Sequence, residues 1–173
     1  MFDKFWRKLT VKPLEPLTSL QAARGGRVAL QGKLSSQEAA ISPMKMRACA
    51  AFYYRATYRY GSRMKGFVQQ KLLDAMVYGP GLTLEVDDGI VELAPRKSQD
   101  FEPEAHKGLT DRKIDGFKAS ERLIPQGAVV VARGKLRRAG DQWRMALDGI
   151  QYEPPKKESR SGGSMPKKKK KQG

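Results

Sequence analysis

Residues 82–95, LTLEVDDGIVELAP, constrain the fold of this chain more than any other stretch. Leu82, Leu84 and Val86 alternate with Thr83 and Glu85, and Ile90, Val91 and Leu93 resume an apolar run after Asp87, Asp88 and Gly89. Period-two alternation on both sides of an Asp-Gly dipeptide predicts a β-hairpin. A hairpin with one apolar face must bury that face, so the flanking strands are expected to wrap it into one small β-domain.

The flanking sequence supplies such strands. Residues 27–36 form a strand candidate interrupted by Gly32, as a bend at a barrel corner requires. Residues 46–60, MRACAAFYYRATYRY, form the longest candidate. Its set Ala50, Phe52, Tyr54, Ala56, Tyr58 and Tyr60 is the more apolar and is expected to face a core. The opposite set then places Arg55 and Arg59 outward beside Tyr53. Residues 128–138 and 142–150 read as two further strands around the turn Ala139-Gly140-Asp141. Val28, Gly32, Lys33 and Leu34 are echoed by Val130, Gly134, Lys135 and Leu136, which reads as one bending need met twice. In their order along the chain, these elements predict a mainly β protein with a five-stranded OB-like β-barrel, short helices and a basic C-terminal tail.

Between the strands the chain is less specific. Thr18 or Ser19 is placed to N-cap a short helix through Ala23, ended by Gly25 and Gly26. Residues 67–75 fit a strand or a short helix equally well. Residues 96–119 are polar and long for a connection, which marks an insertion. Three regions follow: an amphipathic segment and linker over 1–16, a β-barrel domain over 17–153, and a Lys-rich tail over 154–173 with too few apolar residues to order itself.

Charge restricts the partners. From Lys156 onward eight Lys/Arg stand against one Glu, so the tail carries +7 of the formal +16 and the body +9. A basic body favours nucleic acid, anionic lipid or an acidic protein surface. Tyr53, Arg55, Arg59, Arg63 and Lys65 form the candidate basic and aromatic binding face. Phe2, Phe5, Trp6 and Leu9 fall on one helical face, suited to a membrane surface, to a protein partner or to docking on the barrel. Lys167, Lys168, Lys169, Lys170 and Lys171 are a polyanion-binding run.

Catalysis finds little support. Cys49 and His106 are the single cysteine and histidine, which leaves no cysteine-based zinc set and no disulfide within the chain. Cys49 reads as a small buried hydrophobe and His106 as a polar loop residue. Glu85, Asp87 and Asp88 cluster at the hairpin, but Asp-Asp-Gly is ordinary turn chemistry. The expectation is a non-enzyme without metal or cofactor, in a reduced cytoplasmic compartment and peripheral to a membrane.

The spaced features also resemble a known family. Gly26 precedes the strand from Val28 to Gly32, and Ser42-Pro43 precedes Cys49 and Tyr53-Tyr54-Arg55. Leu84, Asp87, Gly89, Val91 and Pro95 follow. Glu121, Leu123 and Ile124 then lead to Gly127, Val129, Val131 and Gly134. In this order, across residues 17–150, the chain resembles the GIDE (BAM) domain, the non-RING portion of the mitochondrial-outer-membrane ubiquitin ligases, also found in prokaryotic proteins. The resemblance implies an OB-like fold and a role in protein interaction near membranes. Those ligases add transmembrane helices and a RING, which one cysteine and one histidine cannot build, so ligase activity is not implied. Two readings result: a non-enzymatic module that binds a protein partner at an anionic membrane surface, or an OB-type domain that binds single-stranded nucleic acid.

Overall fold

The computed structural model describes residues 14–96, 103–111 and 114–155. The amphipathic stretch with Phe2, Phe5, Trp6 and Leu9, and the lysine run from 167 to 171, lie outside them. Along the chain come β1 (Pro16–Leu17), β2 (Gly26–Ser35), β3 (Ala40–Ile41), β4 (Ala48–Cys49), β5 (Ala51–Ser62) and β6 (Gly66–Tyr78). Then follow β7 (Thr83–Val86), β8 (Gly89–Pro95), α1 (Pro103–Asp111), β9 (Lys118–Ile124), β10 (Ala128–Ala139) and β11 (Gln142–Gln151).

The hairpin expected at residues 82–95 is β7 and β8, paired from Thr83↔Glu92 to Val86↔Gly89. Around it the barrel runs β2, β7, β8, β11, β10 and back to β2. The β8–β11 pair is parallel and the other four pairs are antiparallel. This is a closed five-stranded OB-like barrel in a mainly β protein. Leu30, Leu34, Leu84, Val91, Leu136 and Met145, each 0–1 % exposed, fill its interior. At about 25 cal/mol per Å² of apolar surface, side chains of this size contribute about 1.5–3 kcal/mol each, which makes this interior the main source of stability.

The barrel bends at two glycines. Gly32 of β2 lies opposite Val130 of β10, and Gly134 of β10 lies opposite Val28 of β2. A Cβ at Gly32 would stand 2.2 Å from the Glu85 carbonyl oxygen, and one at Gly134 would stand 2.2 Å from that of Ala146. The echoed Val-x-x-x-Gly-Lys-Leu sequences are therefore two antiparallel neighbours, each letting the next strand's backbone come close at the same kind of corner.

Three expectations change. The longest strand candidate is not a barrel strand. It forms β4 and β5, broken at Ala50, and β5 is the centre of a separate three-stranded sheet in the order β6-β5-β9. Period-two alternation specifies a strand with one buried face, but not the sheet it joins. Most of that sheet is an excursion between barrel strands β2 and β7. Second, no helix forms at residues 18–23. The Asp88 carboxylate accepts hydrogen bonds from the Leu20 amide (2.7 Å), the Gln21 amide (3.0 Å) and the Ser19 hydroxyl (2.7 Å). The hairpin turn thus takes both amides, with Gln21 also reaching the Ser19 hydroxyl at 3.2 Å, and the segment closes only one turn, from the Ala23 amide to the Leu20 carbonyl. Third, His106 sits on α1 rather than in a loop.

Residues 67–75 belong to β6, and a bulge accounts for their ambiguity. Pairing with β5 steps from Ala56↔Leu73 to Thr57↔Lys71, leaving Leu72 unpaired. The positions on the same side of the sheet as Tyr54 are Val68 and Gln70 before the bulge and Leu73, Ala75 and Val77 after it, so strict alternation is lost. The polar insertion has its own purpose. Leu109 of α1 and Phe117 pack with Phe52, Tyr54, Ala56 and Cys49 in a second core beneath the three-stranded sheet.

Candidate functional site

In an antiparallel sheet, residues directly opposite one another project from the same face. The register of β5 therefore defines both faces of the inserted sheet. Phe52, Tyr54 and Ala56 lie on the face covered by α1. Tyr53, Arg55, Thr57 and Arg59 lie on the other face. Tyr53 is flanked by Met76 and Arg122, Arg55 by Asp74 and Ser120, and Thr57 by Lys71 and Lys118, while Arg59 faces Gln69. Arg55, Arg59, Lys71, Lys118 and Arg122 are all exposed. Five cations thus share one face with a single carboxylate, Asp74.

That carboxylate is already occupied. The Tyr53 hydroxyl donates to Asp74, and Lys71 Nζ lies 3.3 Å from Asp74 Oδ2. The Tyr53 bond, followed by the Lys71 cation, holds the Asp74 carboxyl below its ordinary value. The same bond raises the Tyr53 phenol above its own. Arg55, Arg59, Lys118 and Arg122 face solvent with no carboxylate directly across the sheet from Arg59, Lys118 or Arg122. Between this face and the barrel lies a cleft of about 500 Å³. Tyr53, Met76 and Tyr78 line one side, and Pro95, Arg96 and Leu147 line the other. Asp148 on the barrel side is held by Arg96 (3.2 Å) and Arg27 (3.0 Å).

Of the sequence-predicted face, Tyr53, Arg55 and Arg59 come together as expected. Arg63 and Lys65 do not join them. They occupy the β5–β6 turn at the far end of the hairpin. Sequence reasoning missed Lys71, Lys118 and Arg122. Lys118 and Arg122 are four residues apart, which on a strand is the same face, but the polar run that leads into them shows no strand periodicity.

The barrel wall contrasts with this sheet. OB barrels that bind oligonucleotides use the outer face of their second and third strands, here β7 and β8. That face presents Thr83, Glu85, Ile90 and Glu92, paired across the hairpin. It has two carboxylates and no aromatic residue. Arg133, Lys135 and Arg137 form a second cationic stripe on β10.

The remaining candidates for chemistry are structurally engaged. His106 Nδ1 is 2.7 Å from the Tyr54 hydroxyl, within the packed side of the sheet. The Cys49 thiol is buried and its Sγ–H donates to the Ala40 carbonyl at 3.4 Å. Burial, with the Glu121 carboxylate adding to it, pushes that thiol up to about 11. Asp88 binds the segment 19–21, which accounts for one of the hairpin carboxylates. Among the described residues, no three of His, Cys, Asp and Glu converge as metal ligands. No helix among them is long and apolar enough to cross a membrane.

Compared with family models, curated proteins and solved structures, the chain matches none.

Proposed function

We propose that this chain is a non-enzymatic, GIDE-like interaction module that binds an acidic protein partner close to an anionic membrane surface. The barrel is the scaffold and the inserted sheet is the contact surface. One observation carries the reading: Arg55, Arg59, Lys71, Lys118 and Arg122 converge on one open sheet face whose single carboxylate is internally bonded. Complementary charge raises the encounter rate with an acidic partner and fixes its orientation. The neighbouring cleft adds Tyr53, Tyr78 and Met76, which can hold an apolar side chain of that partner.

Single-stranded nucleic acid is the less supported partner. Its binding depends on aromatic platforms in a basic groove. The outer face of β7 and β8 carries Glu85 and Glu92 instead, and Tyr53 is tied to Asp74.

The test is binding of the full chain to a fluorescent glutamate-rich peptide and to an oligothymidine of similar charge, at physiological salt. The expected result is tighter binding of the peptide and its loss in Arg55→Glu/Arg122→Glu. Unchanged peptide binding in that variant would overturn the assignment of the surface. Tighter oligothymidine binding, abolished by Tyr53→Ala, would replace it with nucleic-acid binding.

A further inference from the structure

The β5–β6 hairpin extends beyond the sheet that supports it. Pairing with β9 ends at Thr57↔Lys118, and the last support for β5 is the Arg59 amide, which donates to the Asp115 carbonyl at 3.2 Å. From Tyr60 to Val68 the two strands run on as a free ribbon of three paired positions, about 7 Å of strand at the rise of a β-strand, closed by the turn at residues 63–65. Gly61 and Gly66, at φ 137° and 79°, shape its end.

The ribbon's surface is unusual for a solvated tip. Met64 is 97 % exposed, Val68 64 %, Tyr60 62 % and Phe67 44 %. These groups do not share a face. Tyr60 and Val68 are opposite one another on one side, Phe67 pairs with Gly61 on the other, and Met64 is at the apex. A partner surface lying along one side of the ribbon would leave the other apolar side in water. A medium that surrounds the tip would cover both. The cations are arranged to match. Arg63 and Lys65 flank Met64 in the turn, and the Arg59 guanidinium lies 3.8 Å from the Phe67 ring centroid. Aromatic and thioether groups at the end of a ribbon, ringed by long basic side chains, fit the boundary between acyl chains and anionic headgroups.

We infer that the β5–β6 hairpin is a membrane-inserting arm: Met64, Phe67, Tyr60 and Val68 enter the interface of an anionic bilayer, and Arg59, Arg63 and Lys65 contact its headgroups. The arm deepens the proposed function, and rests on it only for the choice of a lipid surface. It would fix the distance and orientation of the cationic sheet face above that surface.

The test places an environment-sensitive fluorophore on Met64→Cys in the full chain, with Ile90→Cys on the barrel wall as the control. Ile90 is 64 % exposed, and the native Cys49 is buried. The probes are vesicles of phosphatidylcholine mixed with phosphatidylserine, and vesicles of phosphatidylcholine alone. With the mixed vesicles, the label at 64 should shift to the blue and be quenched by nitroxide on the upper acyl chain, while the label at 90 remains aqueous. Met64→Ser/Phe67→Ser should weaken vesicle binding about tenfold or more, with an unchanged far-ultraviolet circular dichroism spectrum. Arg63→Gln/Lys65→Gln should weaken it about fivefold per cation, the effect fading at high salt. Vesicle binding with the label at 64 still aqueous would overturn the arm while leaving the proposed function standing. No vesicle binding, or a dimer of the free chain abolished by Met64→Ser/Phe67→Ser, would also overturn it, the latter by making a second copy the occupant.

Discussion

If Gly32 and Gly134 are the points at which the barrel closes, adding one methyl group at either should damage it far more than a methyl group elsewhere in the barrel. At Gly134 the new Cβ would lie 2.2 Å from the Ala146 carbonyl oxygen and 2.8 Å from Met145 Cγ. At Gly32 it would lie 2.2 Å from the Glu85 carbonyl oxygen and 3.1 Å from Leu84 Cγ. Ordinary van der Waals contact begins near 3.4 Å, so each carbonyl oxygen must retreat by more than 1 Å and each side-chain carbon by less. The closest obstructions, the two carbonyl oxygens, are backbone atoms of a paired strand and cannot rotate away. Overpacking of this kind costs about 1–3 kcal/mol. Separation of the strands also weakens one or two ladder hydrogen bonds at about 1 kcal/mol each. We expect Gly32→Ala and Gly134→Ala each to lose about 2–5 kcal/mol. That corresponds to a fall in Tm of very roughly 5–20 °C for a domain of this size. Gly149 on β11 is the control: it has no positive φ, and nothing lies within 4 Å of its Cβ position. Gly149→Ala should be neutral or stabilising by about 0.5 kcal/mol through the unfolded state. Urea unfolding followed by circular dichroism measures all three. If Gly32→Ala and Gly134→Ala unfold at the same midpoint as Gly149→Ala, close backbone approach is not what the two glycines provide.

Two further predictions concern titrating groups. The Asp88 carboxyl is held below its ordinary value, first by the Ser19 hydroxyl and then by the Leu20 and Gln21 amides. A depressed carboxyl contributes stability that is present above its unfolded pKa and is lost as pH falls through its folded pKa. Unfolding free energy measured from neutral pH into acid should therefore decline below the ordinary carboxylate range. Asp88→Asn should be less stable at neutral pH and decline less steeply, and parallel curves for the two proteins would refute the linkage. The Cys49 thiol, raised to about 11 and buried, should resist alkylation in the native chain and react at once in denaturant. Rapid native labelling would contradict its place in the second core.

The barrel was legible because its strands carry their own geometry. The 82–95 hairpin shows its turn and both alternations, and Gly32 and Gly134 show where their strands must bend. The inserted sheet was legible only in part. Residues 46–60 alternate clearly, yet alternation cannot say whether Ala50, Phe52 and Tyr54 face the barrel interior or a separate core. In the event Ala50 packs in the first and Phe52 and Tyr54 in the second. The bulge at Leu72 hid β6, since one unpaired residue shifts every later side chain to the opposite phase. With β6 and β9 unread, Lys71, Lys118 and Arg122 had no face to belong to, and the candidate site remained half assembled around Arg55 and Arg59. Arg63 and Lys65 were grouped with them by proximity in sequence, although the strand carries them about 20 Å along its length from Arg55.

The most direct test of the claim that the inserted sheet, rather than the barrel wall, is the contact surface is amide hydrogen exchange of the full chain with and without the glutamate-rich peptide. Protection is expected over residues 53–59 and 118–122, with residues 83–92 and 133–137 unchanged. Protection centred on residues 83–92 of the β7–β8 hairpin, or on the Arg133, Lys135 and Arg137 stripe of β10, would contradict it.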